Sequence, residues 1–220
     1  MKSFVTMLGS VVLVAVCVIA GTDVARAQYQ RIVLLEEHTS VTCGPCAAAG
    51  RNLNDAVSND PTRTVSIRYH NNFVGPKDRF FEANKTENAA RHSYYGWQSM
   101  PRVRVNGSID IQGTDRTELN ARISDELAIE SPIKVEVTQV AQGIDRIVTV
   151  KVTAGSDGLA SGKRLYAAAV EARVHEPLFQ NSPYNGEVDV HDIMRDMIPN
   201  VDGEALTLAP NEVKNFVYSY

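Results

Sequence analysis

Two cysteines spaced two residues apart, in Cys43-Gly44-Pro45-Cys46, follow the apolar run Ile32 to Leu35 and precede the alanine-rich stretch Ala47 to Ala49. The pattern predicts a strand running into a helix with both thiols at its first turn. There, unpaired backbone N–H groups and the helix dipole favour a thiolate over a thiol. Cys43 is then the nucleophile and Cys46 the resolving partner. Pro45 fixes φ at the helix start, and Gly44 lets the backbone or sulfur of a partner approach closely. The same motif also suits an inert short-loop disulfide or half of a zinc site. Zinc would need further ligands from the scattered His38, His70, His92, His175 and His191, so neither a metal nor a cofactor is expected.

The N-terminus carries Lys2, an apolar run from Val11 to Ala20 that is short for a membrane span, and the small-residue pattern Ala25-Arg26-Ala27. This reads as a secretory signal peptide, residues 1–27, cleaved after Ala27. Val16 stands before Cys17 where lipidation needs a small residue, and removal of the segment leaves Cys43 and Cys46 as the remaining cysteines. One closely spaced pair in an exported chain constrains the unfolded state little, so redox chemistry explains it better than stability does. The net charge of −4, spread along the chain without a basic block, disfavours nucleic acid as a partner.

From Arg31 to about Glu130, strand and helix patterns alternate. Ile32 to Glu36 and Thr64 to Tyr69 read as strands, Pro45 to Val57 and Asp78 to Tyr95 as helices. Val103 and Val105, then Asn106-Gly107, then Ile109 and Ile111 predict a hairpin, and Asp115 to Ile129 an amphipathic helix. This order implies an α/β layer architecture. Ser131-Pro132 reads as a domain boundary, followed by period-two strands at Ile133 to Val137, Ile147 to Val152 and Leu165 to Val174. Val174 to Leu206 reads as a long loop with one helical turn at Ile193 to Met197. The last run, Val213 to Tyr220, alternates as a strand and ends without a turn, which predicts an incomplete sheet or a truncated chain there.

The element order, the Cys43-Gly44-Pro45-Cys46 motif and Met100-Pro101 before the hairpin resemble the thioredoxin superfamily over about half of the exported chain. The resemblance implies a thioredoxin-like domain at 28–131 and leaves 132–220 as a β-sandwich-like module. It implies that Pro101 is cis beside the disulfide, that Met100 with Gly44 and Pro45 lines a substrate groove, and that Glu37 is a buried carboxylate relaying a proton to Cys46. Two departures stand out. Thr42 occupies a position where thioredoxins usually carry tryptophan, and the longer spacing to the proline predicts an insertion near Asn71 to Trp97, rich in Phe73, Phe80, Phe81, Tyr94, Tyr95 and Trp97. The signal segment, "LLEEHTSVTCGPC" and "VHDIMRDMI" also resemble a thioredoxin-like outer-membrane protein family of about twenty-eight kilodaltons, which implies an envelope location.

Hydrolase and nucleotide-binding motifs are absent, and Glu187, Asp189, His191 and Asp192 lack EF-hand spacing and read as a solvated loop. The expectation is an exported thiol-disulfide oxidoreductase, periplasmic or elsewhere in the cell envelope, working in the reducing or isomerising direction that Gly-Pro implies. Its partners would be protein dithiols and disulfides and a membrane electron donor, with peripheral outer-membrane association. The alternative is an envelope binding or adhesion protein on the same scaffold with a structural disulfide.

Overall fold

The computed structural model describes residues 29–72 and 75–220. The expected signal segment 1–27 and Phe73 lie outside the described residues. The chain is mixed α/β and mostly strand. It opens with β1 (Val33–Thr39), α1 (Cys46–Asn59), β2 (Thr64–His70), α2 (Arg79–Ala83), α3 (Lys85–Tyr95), β3 (Arg102–Val105), β4 (Ile109–Gln112) and α4 (Arg116–Leu127). It continues with β5 (Ile133–Gln142), β6 (Asp145–Ala154), β7 (Leu159–Leu165), β8 (Ala167–His175), β9 (Asp189–Ile198), β10 (Glu204–Leu208) and β11 (Val213–Ser219).

Local signals place most of the first half. Asp115 caps α4 by accepting from Glu118 N–H, and Asn106 (φ 48°) and Gly107 (φ 72°) make the β3–β4 turn that two left-handed residues require. On α1 the buried stripe is Cys46, Ala49, Gly50, Leu53 and Ala56, the three-and-four spacing of one helical face. One helix was expected over Asp78 to Tyr95, and two are found. Asn84 sits at φ −148°, ψ 71°, outside the helical region, and its side chain accepts from Glu87 N–H to start α3. An asparagine that bonds its own backbone competes with helix continuation.

A six-stranded sheet runs in the order β4-β3-β1-β2-β9-β8. β1 pairs with β2 in parallel and with β3 antiparallel. One face packs Val33, Leu35, Val103, Val105 and Ile111 against Leu53 and Ala56 of α1 and Leu119 and Ile123 of α4. The other packs Tyr69, Met194 and Met197 with Trp97 beside α3. Covered on both faces, the central strands bury polar as well as apolar side chains: Glu36, Glu37, His38, Arg68 and His70 are all inside.

The sheet does not end at the expected boundary. β8 and β9, from beyond Ser131-Pro132, complete it, while a three-stranded sheet β11-β6-β5 and a two-stranded sheet β10-β7 share a separate apolar cluster of Val148, Val150, Val152, Leu206, Leu208 and Phe216. The long loop expected over Val174 to Leu206 therefore contains β9, and the helical turn at Ile193 to Met197 is strand. Its periodicity misleads because β9 is buried on both faces: Val190 and Ile193 enter one cluster, Met194 and Met197 another. The register also shifts, with Val170 opposite Met194 and Ala169 opposite Asp196, so Arg195 is the extra residue of a bulge. No helix among the described residues is long and apolar enough to cross a membrane.

Candidate functional site

β1 delivers the chain into Ser40-Val41-Thr42-Cys43, and Cys46 is the first residue of α1, with Pro45 at the N-cap. Cys43 thus lies in the loop before the helix and Cys46 opens it, which corrects the expected placement of both thiols in the first turn. Cys46 N–H donates to Cys43 O at 3.1 Å, and Cys43 N–H to Ser40 O at 3.2 Å. The two sulfurs are joined in a disulfide, with 5.3 Å between the Cα atoms. Cys43 is 3% exposed and Cys46 0%. Gly44 and Pro45 face solvent, and a Cβ built at Gly44 would meet nothing within 4 Å.

Two braces hold this loop. Asp78 accepts from Val41 N–H at 2.9 Å while capping α2 through Phe80 N–H, and it pairs with His70 Nδ1 at 2.9 Å. Burial would raise the Asp78 carboxyl, but His70 and the backbone donors overcome it and hold it at about 2. From the C-terminal half, Asn185 N–H donates to Val41 O at 2.8 Å, and its Nδ2 donates to Ser40 O at 3.1 Å and Cys43 O at 3.2 Å. Val41 packs with Phe80, Phe179, Val190 and Ile193 beneath it.

The Met100-Pro101 bond is cis. Pro101 is buried, Met100 is half-buried, and a Cβ built at Gly113 would lie 2.9 Å from Ala49 Cβ and 3.2 Å from Pro101 Cβ. Gly113 therefore stands where Ala49 of α1 and Pro101 both come close.

Glu36 and Glu37 point to opposite faces of β1, as adjacent strand residues must, and both are buried. Glu36 takes Arg91 through Nε at 2.8 Å and Nη2 at 2.6 Å and accepts from Tyr95 Oη; Arg91 lies over the rings of Tyr94 and Tyr95 at 4.7 Å each. Two aromatics of the expected insertion, Tyr94 and Tyr95, thus pack around an ion pair. Glu37 faces α1. Its Oε2 is 3.3 Å from Arg68 Nε without a hydrogen bond, and neither carboxyl oxygen has a hydrogen-bond partner among the described residues. Burial pushes the Glu37 carboxyl up to about 8 against the pull of Arg68, and Glu187 pushes the same way. Arg68 donates from Nη1 to Glu187 Oε1 at 2.7 Å and from Nη2 to Gly50 O at 2.9 Å and Asn54 Oδ1 at 2.6 Å.

Arg68 and Asn185 were not singled out by sequence. Glu187, expected in a solvated loop, is an internal counter-charge, and Asp189, His191 and Asp192 lie in β9. Among the described residues no group of His, Cys, Asp or Glu is placed to hold a metal ion.

On the α3 side, His38 Nδ1–H donates to Ser99 O at 3.0 Å, and its ring lies 4.3 Å from His92 and 5.1 Å from Trp97. Burial lowers His38 to about 4 and His92 to about 3, so both are neutral. The unfolded chain protonates these rings near 6.5, so the stability they contribute is full above that pH and is lost as pH falls toward 4. Glu37 acts in the opposite sense: its raised value gives stability that is full below 4.5 and lost as pH rises through about 8. With two histidines against one carboxyl, stability is expected to peak near pH 6.5 and fall by about 1 kcal/mol per pH unit on either side. Urea midpoints at pH 4.5, 6.5 and 8 check this; a flat profile contradicts it.

No curated protein matches the chain. Among solved structures it is similar to HBP35 of Porphyromonas gingivalis, with a TM-score of 0.71 and 14% identity over 87% of this chain and 64% of that one. The chain thus spans less than two thirds of that protein. It is also similar to a structural-genomics protein from Agrobacterium tumefaciens, with a TM-score of 0.56 and 16% identity over 87% of this chain and 79% of that one. At these identities the likeness is one of fold. The model of the family described as Outer membrane protein Omp28 matches residues 88–220, more than half of the sequence, so the chain belongs to the Omp28 outer membrane protein family and is a protein of the cell envelope.

Proposed function

We propose that the protein is an envelope thiol-disulfide oxidoreductase acting through Cys43 and Cys46. The observation that carries the reading is the joining of these cysteines at the mouth of α1, with the hydrogen-bond-starved Glu37 beneath that helix and cis-Pro101 beside Gly113, where Ala49 of α1 also comes close. The β1-α1-β2 unit, followed by the β3–β4 hairpin and α4, supports a thioredoxin-like half. The facing small sheets support a β-sandwich-like attachment. In the reduced protein the Cys43 thiolate attacks a substrate disulfide; a Cys43-substrate bond forms and one substrate thiolate leaves. Cys46, losing its proton to the ionised form of Glu37, then attacks the Cys43 sulfur; the Cys43–Cys46 bond forms, the Cys43–substrate bond breaks, and the second substrate sulfur leaves as a thiolate that takes up the proton held on Glu37. The protein dithiol is oxidised and the substrate disulfide reduced, two electrons each way. A membrane dithiol donor would restore the reduced state, and the Gly-Pro pair supports the reducing or isomerising direction.

The burial of both sulfurs favours the second reading, a binding or adhesion protein whose disulfide is structural. Insulin reduction by the exported protein with dithiothreitol separates the two: acceleration over dithiothreitol alone supports exchange, and no acceleration supports the structural bond. Glu37→Gln is expected to slow this turnover about 100-fold while leaving the circular dichroism spectrum unchanged, because a positioned acid-base group contributes about that much or more. An unchanged rate would remove Glu37 from the mechanism.

A further inference from the structure

We infer that Glu187, carried in from the C-terminal half of the chain, is a positioning residue that sets the protonation state of Glu37 by sharing the Arg68 guanidinium. The inference deepens the exchange reading above and rests on it for its catalytic consequence. Arg68 commits its best hydrogen bonds elsewhere: Nη1 to Glu187, Nη2 to Gly50 O and Asn54 Oδ1. Glu37 is left with an ion-pair distance of 3.3 Å and no donor to either oxygen among the described residues. A buried carboxylate without donors favours its protonated form, and a second carboxylate on the same cation strengthens that preference.

The surroundings are built for the second carboxylate. A Cβ on Gly50 would fall 2.4 Å from Glu187 Oε1, so the absence of a side chain on α1 is what admits Glu187. Glu187 N–H donates to Asn185 Oδ1 at 2.9 Å, and Asn185 holds Cys43 O. One turn therefore grips the cysteine loop with one residue and the Arg68 cation with another. The remaining charge acting on Arg68 is Asp192 of β9, hydrogen-bonded by Ser66; β3 places Val103 opposite Glu37 and brings no charge, and α1 contributes Asn54 and a carbonyl.

The test follows the Glu37 carboxyl by ¹³C NMR through a pH titration of the full exported protein, beside the pH profile of disulfide exchange. In Glu187→Gln, Arg68 is free to favour ionised Glu37, so the Glu37 inflection is expected to move down by about one pH unit or more, and the exchange profile with it. Glu187→Asp, which keeps the charge, should return the inflection toward its original position. An unmoved inflection in folded Glu187→Gln overturns the inference. Should that variant not fold, the unaltered protein still decides: the Glu187 carboxyl resonance should shift as Glu37 titrates, and a Glu187 resonance silent at that pH overturns it. If the inflection moves while no variant exchanges disulfides, the charge sharing stands and the oxidoreductase reading fails.

Discussion

Cys46→Ala is expected to accumulate mixed disulfides with envelope proteins, while Cys43→Ala captures nothing and loses exchange to background. Cys43 borders the exposed Gly44-Pro45 corner, whereas Cys46 is fully buried as the first residue of α1. In the proposed exchange an incoming disulfide would meet Cys43, and Cys46 would release it. Without Cys46, attack proceeds and resolution does not, so the intermediate persists. Non-reducing gels of each variant, followed by mass spectrometry of the trapped bands, check this. Equal trapping by both variants would mean that the thiols are interchangeable, and none by either would favour the structural-bond reading.

Arg68→Met is expected to destabilise the protein by about 3–5 kcal/mol, the usual cost of removing one partner from a buried ion pair. The guanidinium is 1% exposed and lies between Glu37 and Glu187 while tying β2 to α1 through Gly50 O. Its loss leaves two buried carboxyls without their cation. Adding Glu37→Gln and Glu187→Gln to Arg68→Met should recover much of the deficit, because the remaining charges go with them. Urea unfolding of the single and triple variants measures both effects. A single variant within about 0.5 kcal/mol of the unaltered protein would show that the cluster is open to water.

The features legible in the sequence were those encoded locally. The Cys43 to Cys46 motif, the Asn106-Gly107 turn and the helix starts at Asp78 and Asp115 each depend on a few neighbouring residues, and the structure has each in place. The partners from far along the chain were not legible. Glu187 lies 119 positions from Arg68 and Asn185 lies 142 from Cys43, and no local pattern marks either. Arg68 was hidden for a related reason: the buried face of β2 that carries it also carries Thr64 and Ser66, so no apolar alternation marks that face as interior. The strand at Asp189–Ile198 escaped because burial on both faces and the bulge at Arg195 erase period two. A Glu-Glu pair inside an apolar strand was the one available hint that polar groups would be paired internally.

The central claim, that Cys43 and Cys46 form an exchangeable rather than a structural bond, is tested most directly by equilibrating the folded protein with graded ratios of oxidised and reduced glutathione or dithiothreitol. The free thiols are then alkylated and counted by mass spectrometry. An exchangeable bond gives a single reversible two-electron transition without loss of structure, at a potential near the −270 mV of reducing members of the thioredoxin superfamily. A disulfide that resists reduction until the protein is unfolded would contradict it.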